Sequence, residues 1–246
     1  MLQTMNHREI EYKIKKLWQE QERDERTLCS KLSADWEKDD QVALEQLLNW
    51  LDETGTLVYE EDLLLDYGTD CLRLYLMFEK TPKPSDTWLE TWTECGLEGM
   101  YKFLGRYRRM ILVIDYWNRL GGYENQATDK LEEAFDKVRQ DYLKFLRRGN
   151  DMPNRHNMVA VMMELMKVMT KELGVSDLVT RLHKEEIAHA VPHAEQAISS
   201  PQNAEQMENA MSKSNPIIKS LCEEFILYMS VLTPYLSGDL WQRINL

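Results

Sequence analysis

Apolar residues recur along the chain with the spacing of helices. Ile10, Ile14, Leu17 and Trp18 are separated by four, three and one positions, a single stripe that predicts a helix from Glu9 to Cys29. Between Glu20 and Arg26 that helix is almost wholly charged, a solvated face. Ser33 or Asp35 can cap a short turn. A second helix is predicted from Asp40 to Leu51, with Val42, Leu44, Leu47, Leu48 and Leu51 as its apolar side. Asp52 to Thr56 reads as a turn and Leu57-Val58-Tyr59 as a short extended piece. Glu60 to Asp66 fits a short helix stopped by a left-handed Gly68. Thr69 or Asp70 then caps a helix through Phe78, with Leu72, Tyr75, Leu76 and Phe78 facing the core.

Pro82 and Pro84 make residues 81–86 non-helical. Trp88 to Leu120 is the longest helical segment, ended by Gly121-Gly122. Gly96, Gly99 and Gly105 each cost about 1 kcal/mol inside a helix. Their number suggests close packing against another helix, or else a break near Gly96. Leu131, Phe135, Val138, Tyr142 and Phe145 predict a helix from Asp129 to Arg148. After a turn at 149–154, Asn154 or Asn157 opens a Met-rich helix through Leu173; its Met158, Met162, Met163, Met166 and Met169 read as adaptable core. Gly174 ends it. Ser176 opens a helix to about Ala190, residues 199–203 form a polar loop, and Pro216 opens a helix to Leu232. Pro234 breaks that helix, and a short one runs from Asp239 to Ile244.

Ten glycines and seven prolines in 246 residues, with 43% hydrophobic residues, fit a mostly helical protein with a sizeable core. No apolar run is long enough to span a membrane, the N-terminus has no apolar signal core, and Cys29, Cys71, Cys95 and Cys222 form no Cys-x-x-Cys pair. A cytoplasmic protein with reduced thiols is expected. The net charge of −12 argues against a general nucleic-acid binder. Residues 1–66 hold 17 acids and 8 bases, however, whereas the remaining residues hold 25 and 22, so a basic face on the remainder is open.

His183, His189 and His193 do not share a helix face, and Pro192 separates the last two, so no metal site is expected. Trp88, Trp92, Trp117 and Trp241 read as core. No nucleophile stands at diagnostic spacing from a base, and no glycine-rich phosphate loop is present. Neither a catalytic residue nor a cofactor is expected.

Two stretches carry a resemblance: Tyr67-Gly68-Thr69-Asp70-Cys71-Leu72-Arg73-Leu74-Tyr75-Leu76-Met77-Phe78, preceded by Gly55-Thr56-Leu57-Val58, and Gly96-Leu97-Glu98-Gly99 with Lys102-Phe103-Leu104 and Arg106 to Arg109. In order and spacing they are similar to the segment of leucyl-tRNA synthetases that follows the Lys-Met-Ser-Lys-Ser loop. Arg155-His156-Asn157 through Leu165-Met166, and Leu232-Thr233-Pro234 through Leu240-Trp241, are weaker matches further on. The resemblance implies an all-α fold, a helical bundle of the class I synthetase anticodon-binding type. It divides the chain into an acidic helical segment (1–54), a stem-contact-like region (55–90) and the bundle (91–246).

The resemblance does not imply the synthetase reaction. No His-Ile-Gly-His occurs, and Leu51-Asp52-Glu53-Thr54-Gly55 puts acids where the family carries its lysine loop, so the expectation is a chain without the catalytic domain. Met211-Ser212-Lys213-Ser214 spells part of that loop far downstream and reads as a helix-entry loop, with Ser214 or Asn215 capping. On the bundle reading, the candidate tRNA contacts are Lys102, Arg106, Arg108 and Arg109, then Lys144, Arg147, Arg148 and Arg155. The competing reading is a solvated basic face that pairs with the acidic N-terminal helices. Arg73 is expected to brace the junction by pairing with an acid. The implied partner is a leucine-type tRNA or a tRNA-using protein. The alternatives are a split part of an active leucine–tRNA ligase and an acidic helical adaptor that no longer binds RNA.

Overall fold

The computed structural model describes residues 7–21, 23–24, 26–58, 61–78, 94–149, 152–181 and 214–245. Among them are eleven helices and no strand, an all-α bundle. In order they are α1 (His7–Glu20), α2 (Thr27–Leu32), α3 (Lys38–Val58), α4 (Glu61–Tyr67), α5 (Thr69–Phe78), α6 (Glu94–Arg119), α7 (Asp129–Arg147), α8 (Met152–Glu172), α9 (Val175–Arg181), α10 (Pro216–Ser230) and α11 (Pro234–Ile244).

The centre of the bundle is α5. Every residue from Asp70 to Met77 is buried, because α3, α4, α6, α8 and α11 all pack against it. Such a helix is normally apolar on every side, yet α5 carries Asp70 and Arg73. Both close the ends of other helices. The Asp70 carboxylate accepts the backbone N–H groups of Tyr235 (3.2 Å) and Leu236 (2.7 Å), which open α11. Thr233, at the cap position of α11, makes no side-chain cap of its own. Arg73 donates to the carbonyl of Val231 (3.3 Å), the C-cap of α10, and to Asp52 of α3 (3.0 Å). An acid thus sits at a helix N-terminus and a base at a helix C-terminus, the arrangement helix dipoles favour. The bracing role expected of Arg73 is present. Asp70 instead caps α11 from across the bundle. The start of α5 is held by Glu11 of α1, which accepts from the Thr69 N–H (3.3 Å) and hydroxyl (2.8 Å).

Several local expectations are corrected. The first predicted helix breaks after Glu20: no apolar residue anchors 19–26, and the Asp24 side chain accepts from the Arg26 N–H in a turn. The predicted turn at Asp52–Thr56 is helical, as are Leu57 and Val58, because α3 runs unbroken to Val58. Asp52 at its middle is held by Arg26 and Arg73. Val42 is 48% exposed rather than core. A Cβ at Gly99 or Gly105 would meet nothing within 4 Å, so neither glycine marks a close helix contact. The helix does not break at Gly96. Pro234 opens α11 rather than merely ending α10, so the last helix begins five residues earlier than expected.

Other punctuation follows the local chemistry. Gly68, Gly121, Gly149 and Gly174 take positive φ between helices, the conformation L side chains disfavour. Asn215 caps α10 by accepting from the Ile217 and Ile218 N–H groups. The residues around Trp88 and Trp92, the prolines at 82 and 84, the loop 199–203, His183, His189, His193 and Met211 to Lys213 lie outside the described residues.

The N-terminal helices share the core. Cys29, Leu32, Leu44, Leu47, Leu48 and Leu51 belong to one buried cluster with α5 to α8, α10 and α11. On α1, Ile14 and Trp18 pack against Tyr235 of α11, the two rings 5.6 Å apart. Gly238 allows that approach, since a Cβ there would fall 2.8 Å from the Trp18 ring.

Candidate nucleic-acid interface

The longest described helix, α6, buries Met100, Phe103, Leu104, Tyr107, Met110 and Ile111. That apolar side leaves Lys102, Arg106 and Arg109 at four- and three-residue steps on the opposite, exposed side. Lys102 pairs with Glu98 one turn earlier (2.7 Å), a surface pair that water largely screens. Arg106 and Arg109 have no ion-pair partner among the described residues. Arg108 is half-buried. Burial pulls its guanidinium below its usual pKa, against the attraction of Asp239, and its buried Nε finds no hydrogen-bond acceptor among the described residues.

The second candidate group divides. Arg147 leaves the end of α7 and grips Asp40 at the start of α3 through Nε (2.5 Å) and Nη2 (2.7 Å), with Asp40 only 2% exposed. This bidentate bond holds the Asp40 carboxyl below its ordinary range. Arg155 is buried, its guanidinium carbon 4.0 Å from the centroid of the Trp50 ring on α3. Both arginines therefore tie the acidic N-terminal part to α7 and α8. Lys144 and Arg148 are exposed, and Lys144 approaches Asp141 at 4.0 Å.

Beside the α6 stripe the structure brings together residues that the sequence did not single out. Lys167 and Lys171, one turn apart on α8, stand across a groove from Arg106. The groove has a volume of about 520 Å³ and lies between α6, α8 and the short α9. Its inner wall is Phe103, Met163 and Met166; Thr170, Gly174, Ser176 and Asp177 complete it. Gly174, at φ +59°, ends α8 and lets α9 start at the next residue, which is what walls the groove on that side. Lys167 also touches Glu164 (2.8 Å) on the open surface. The four-residue step of the lysines was the available signal, overshadowed by the methionine pattern. Four of those methionines are core, while Met163 is only half-buried and reaches the groove.

Charge is graded along the chain in the same sense. Residues 94–149 and 152–181 together hold 15 bases and 12 acids, against the whole-chain balance of −12. Among the described residues, no three His, Cys, Asp or Glu side chains come together as a metal would require, and no helix is long and apolar enough to cross a membrane. Cys29, Cys71 and Cys222 are buried, and burial pushes the Cys71 thiol up to about 12.

An all-α bundle with an exposed cationic stripe thus stands beside a groove lined by apolar and basic groups. The chain is leucyl-tRNA synthetase-like in sequence. It is 26% identical over 168 residues to the leucine–tRNA ligase of Nitrosomonas eutropha, covering 66% of this chain and 16% of that protein. It is 23% identical over 201 residues to the leucine–tRNA ligase of Petrotoga mobilis, covering 78% and 19%. A shorter stretch of 121 residues is 32% identical to that of Actinobacillus pleuropneumoniae, covering 45% and 13%. The chain spans less than a fifth of the length of these curated relatives. No family model and no solved structure matches it.

Proposed function

We propose that this chain binds tRNA through the exposed side of α6, and that it does so without making an aminoacyl bond itself. The observation that carries the reading is the stripe of Lys102, Arg106 and Arg109 on one helix, with the last two unmatched by acids among the described residues. Arginine and lysine in a row suit a phosphate backbone, and such contacts position an RNA without reading its sequence. Arg148 and Lys144 extend the surface. Arg147 and Arg155 hold the bundle together instead, and Arg108 is half-buried. The similarity to leucine–tRNA ligases supports a leucine-type tRNA as the ligand. The bundle would then be of the anticodon-binding type and work in the cytoplasm.

The non-catalytic part of the reading is supported at α3. Where the resemblance would put a mobile, lysine-bearing loop, a continuous helix holds Asp52 between two arginines. That arrangement is not mobile, and its two cations are already engaged with Asp52 rather than offered to a phosphoryl centre. The adaptor reading is favoured by Arg147 and Arg155, two basic groups already occupied by the acidic N-terminal part.

Charge reversal separates the readings. Arg106→Glu with Arg109→Glu should weaken binding of leucine tRNA and flatten its salt dependence by roughly one log–log unit per lost phosphate contact. If the double variant binds as tightly as the unaltered chain, the α6 stripe is not the contact surface. The split-enzyme alternative predicts leucine-dependent pyrophosphate exchange only after a catalytic chain is added.

A further inference from the structure

We infer that the groove between α6, α8 and α9 receives a single unpaired nucleotide, splayed out of an RNA loop. The inference rests on the RNA-binding reading above and adds to it a discrimination between looped and fully paired RNA. The groove's volume of about 520 Å³ lies within the range of small-ligand sites and leaves room for one base with its sugar. The accessible part of its wall is the half-buried Met163, a polarisable thioether suited to the flat face of a base, backed by the buried Phe103 and Met166. Arg106, Lys167 and Lys171 stand around it, where the flanking phosphates of a flipped nucleotide would lie. Asp177 and Ser176 on α9 supply acceptors for the amino and imino hydrogens of a base edge.

The same features argue against the two nearest alternatives. A paired A-form duplex hides its base faces in the stack, so it can meet the cations but not the apolar wall. An acidic helical peptide would need apolar anchors spread over successive turns. Here the apolar wall on α8 is Met163 and Met166, within a single turn.

The test uses the full chain and two RNAs with equal numbers of phosphates: a blunt duplex, and a hairpin whose loop carries 2-aminopurine. The hairpin should bind about tenfold tighter, the worth of one stacked base, and the 2-aminopurine emission should change on binding. Met163→Trp, and independently Thr170→Trp, fill the groove with the cations kept; circular dichroism reports whether each variant is folded. Hairpin affinity should fall to the duplex level in either folded variant. Groove-filled variants that still prefer the hairpin would overturn the inference. So would an unaltered chain that binds both RNAs equally, though RNA binding itself would then stand. If poly-glutamate displaces the hairpin as effectively as unlabelled hairpin does, the groove responds to charge alone and the inference fails. Binding of neither RNA at low salt would remove the RNA-binding reading along with it.

Discussion

Asp70 offers the most direct view of how the bundle balances burial against charge. Its carboxyl is 4% exposed and burial pushes its pKa up from 3.8 to about 7, helped by nearby Glu11 and opposed by two backbone N–H donors and Arg73. A carboxyl with a raised pKa in the folded state binds its proton more tightly there than in the unfolded chain. The fold is therefore favoured fully below about pH 4 and loses that contribution as the pH rises through 7. At about 1.4 kcal/mol per tenfold change in proton affinity, the loss by pH 8 is on the order of 4 kcal/mol. Asp70→Asn cannot ionise and keeps one acceptor for the start of α11. Urea unfolding followed by helical circular dichroism, at intervals from pH 5 to pH 8, should give a difference between unaltered chain and variant that shifts steadily in the variant's favour. Asp70→Ala should be worse than Asn at every pH, because two buried N–H groups lose their acceptor at about 1–3 kcal/mol each. Parallel profiles for the unaltered chain and Asp70→Asn would refute the reasoning, since they would mean the carboxyl stays ionised throughout.

Three further outcomes are expected. Removing residues 1–50 should leave apolar partners of Leu28, Cys29, Leu44, Leu47 and Leu48 facing water, so the truncated chain should aggregate in light scattering; a monodisperse truncation of equal stability would contradict this. Gly238→Ala should push a methyl into the Trp18 ring and lower stability by about 1–3 kcal/mol, with red-shifted tryptophan emission as α1 lifts from α11; a variant as stable as the unaltered chain would show that α1 does not dock there. Arg147→Ala should strand a buried Asp40, and because Arg147 holds that carboxyl pKa low, the lost stability should be largest above pH 4 and vanish as the pH falls through the native pKa. A pH-independent loss would assign Arg147 a packing role instead.

The parts of the fold legible in the sequence are those decided locally. The stripe from Leu131 to Phe145 gives α7 almost to the residue, and Gly68 and Asn215 mark helix ends locally, Gly68 through its backbone freedom and Asn215 through its capping side chain. What the sequence hides is set by partners distant in the chain. Asp70 reads as the cap of its own helix until α11 arrives with unsatisfied N–H groups and Glu11 takes over the start of α5. Asp52 to Thr56 reads as a turn until Arg26 and Arg73 fix Asp52 within a helix. Arg155 and Arg147 look like free surface cations from their spacing alone; more than a hundred residues earlier, Trp50 covers the buried Arg155 and Asp40 pairs with the still exposed Arg147. The α6 stripe is visible because helical periodicity exposes it, whereas Lys167 and Lys171 gain meaning only when α6 and α8 line the same groove.

A titration of the full chain with leucine tRNA over a series of salt concentrations tests the central claim most directly. Binding at low salt, with log affinity falling linearly against log salt on a slope near −2 to −3 for two or three phosphate contacts, is the predicted result. No binding at low salt, or an affinity that salt does not change, would contradict a phosphate-holding face on α6.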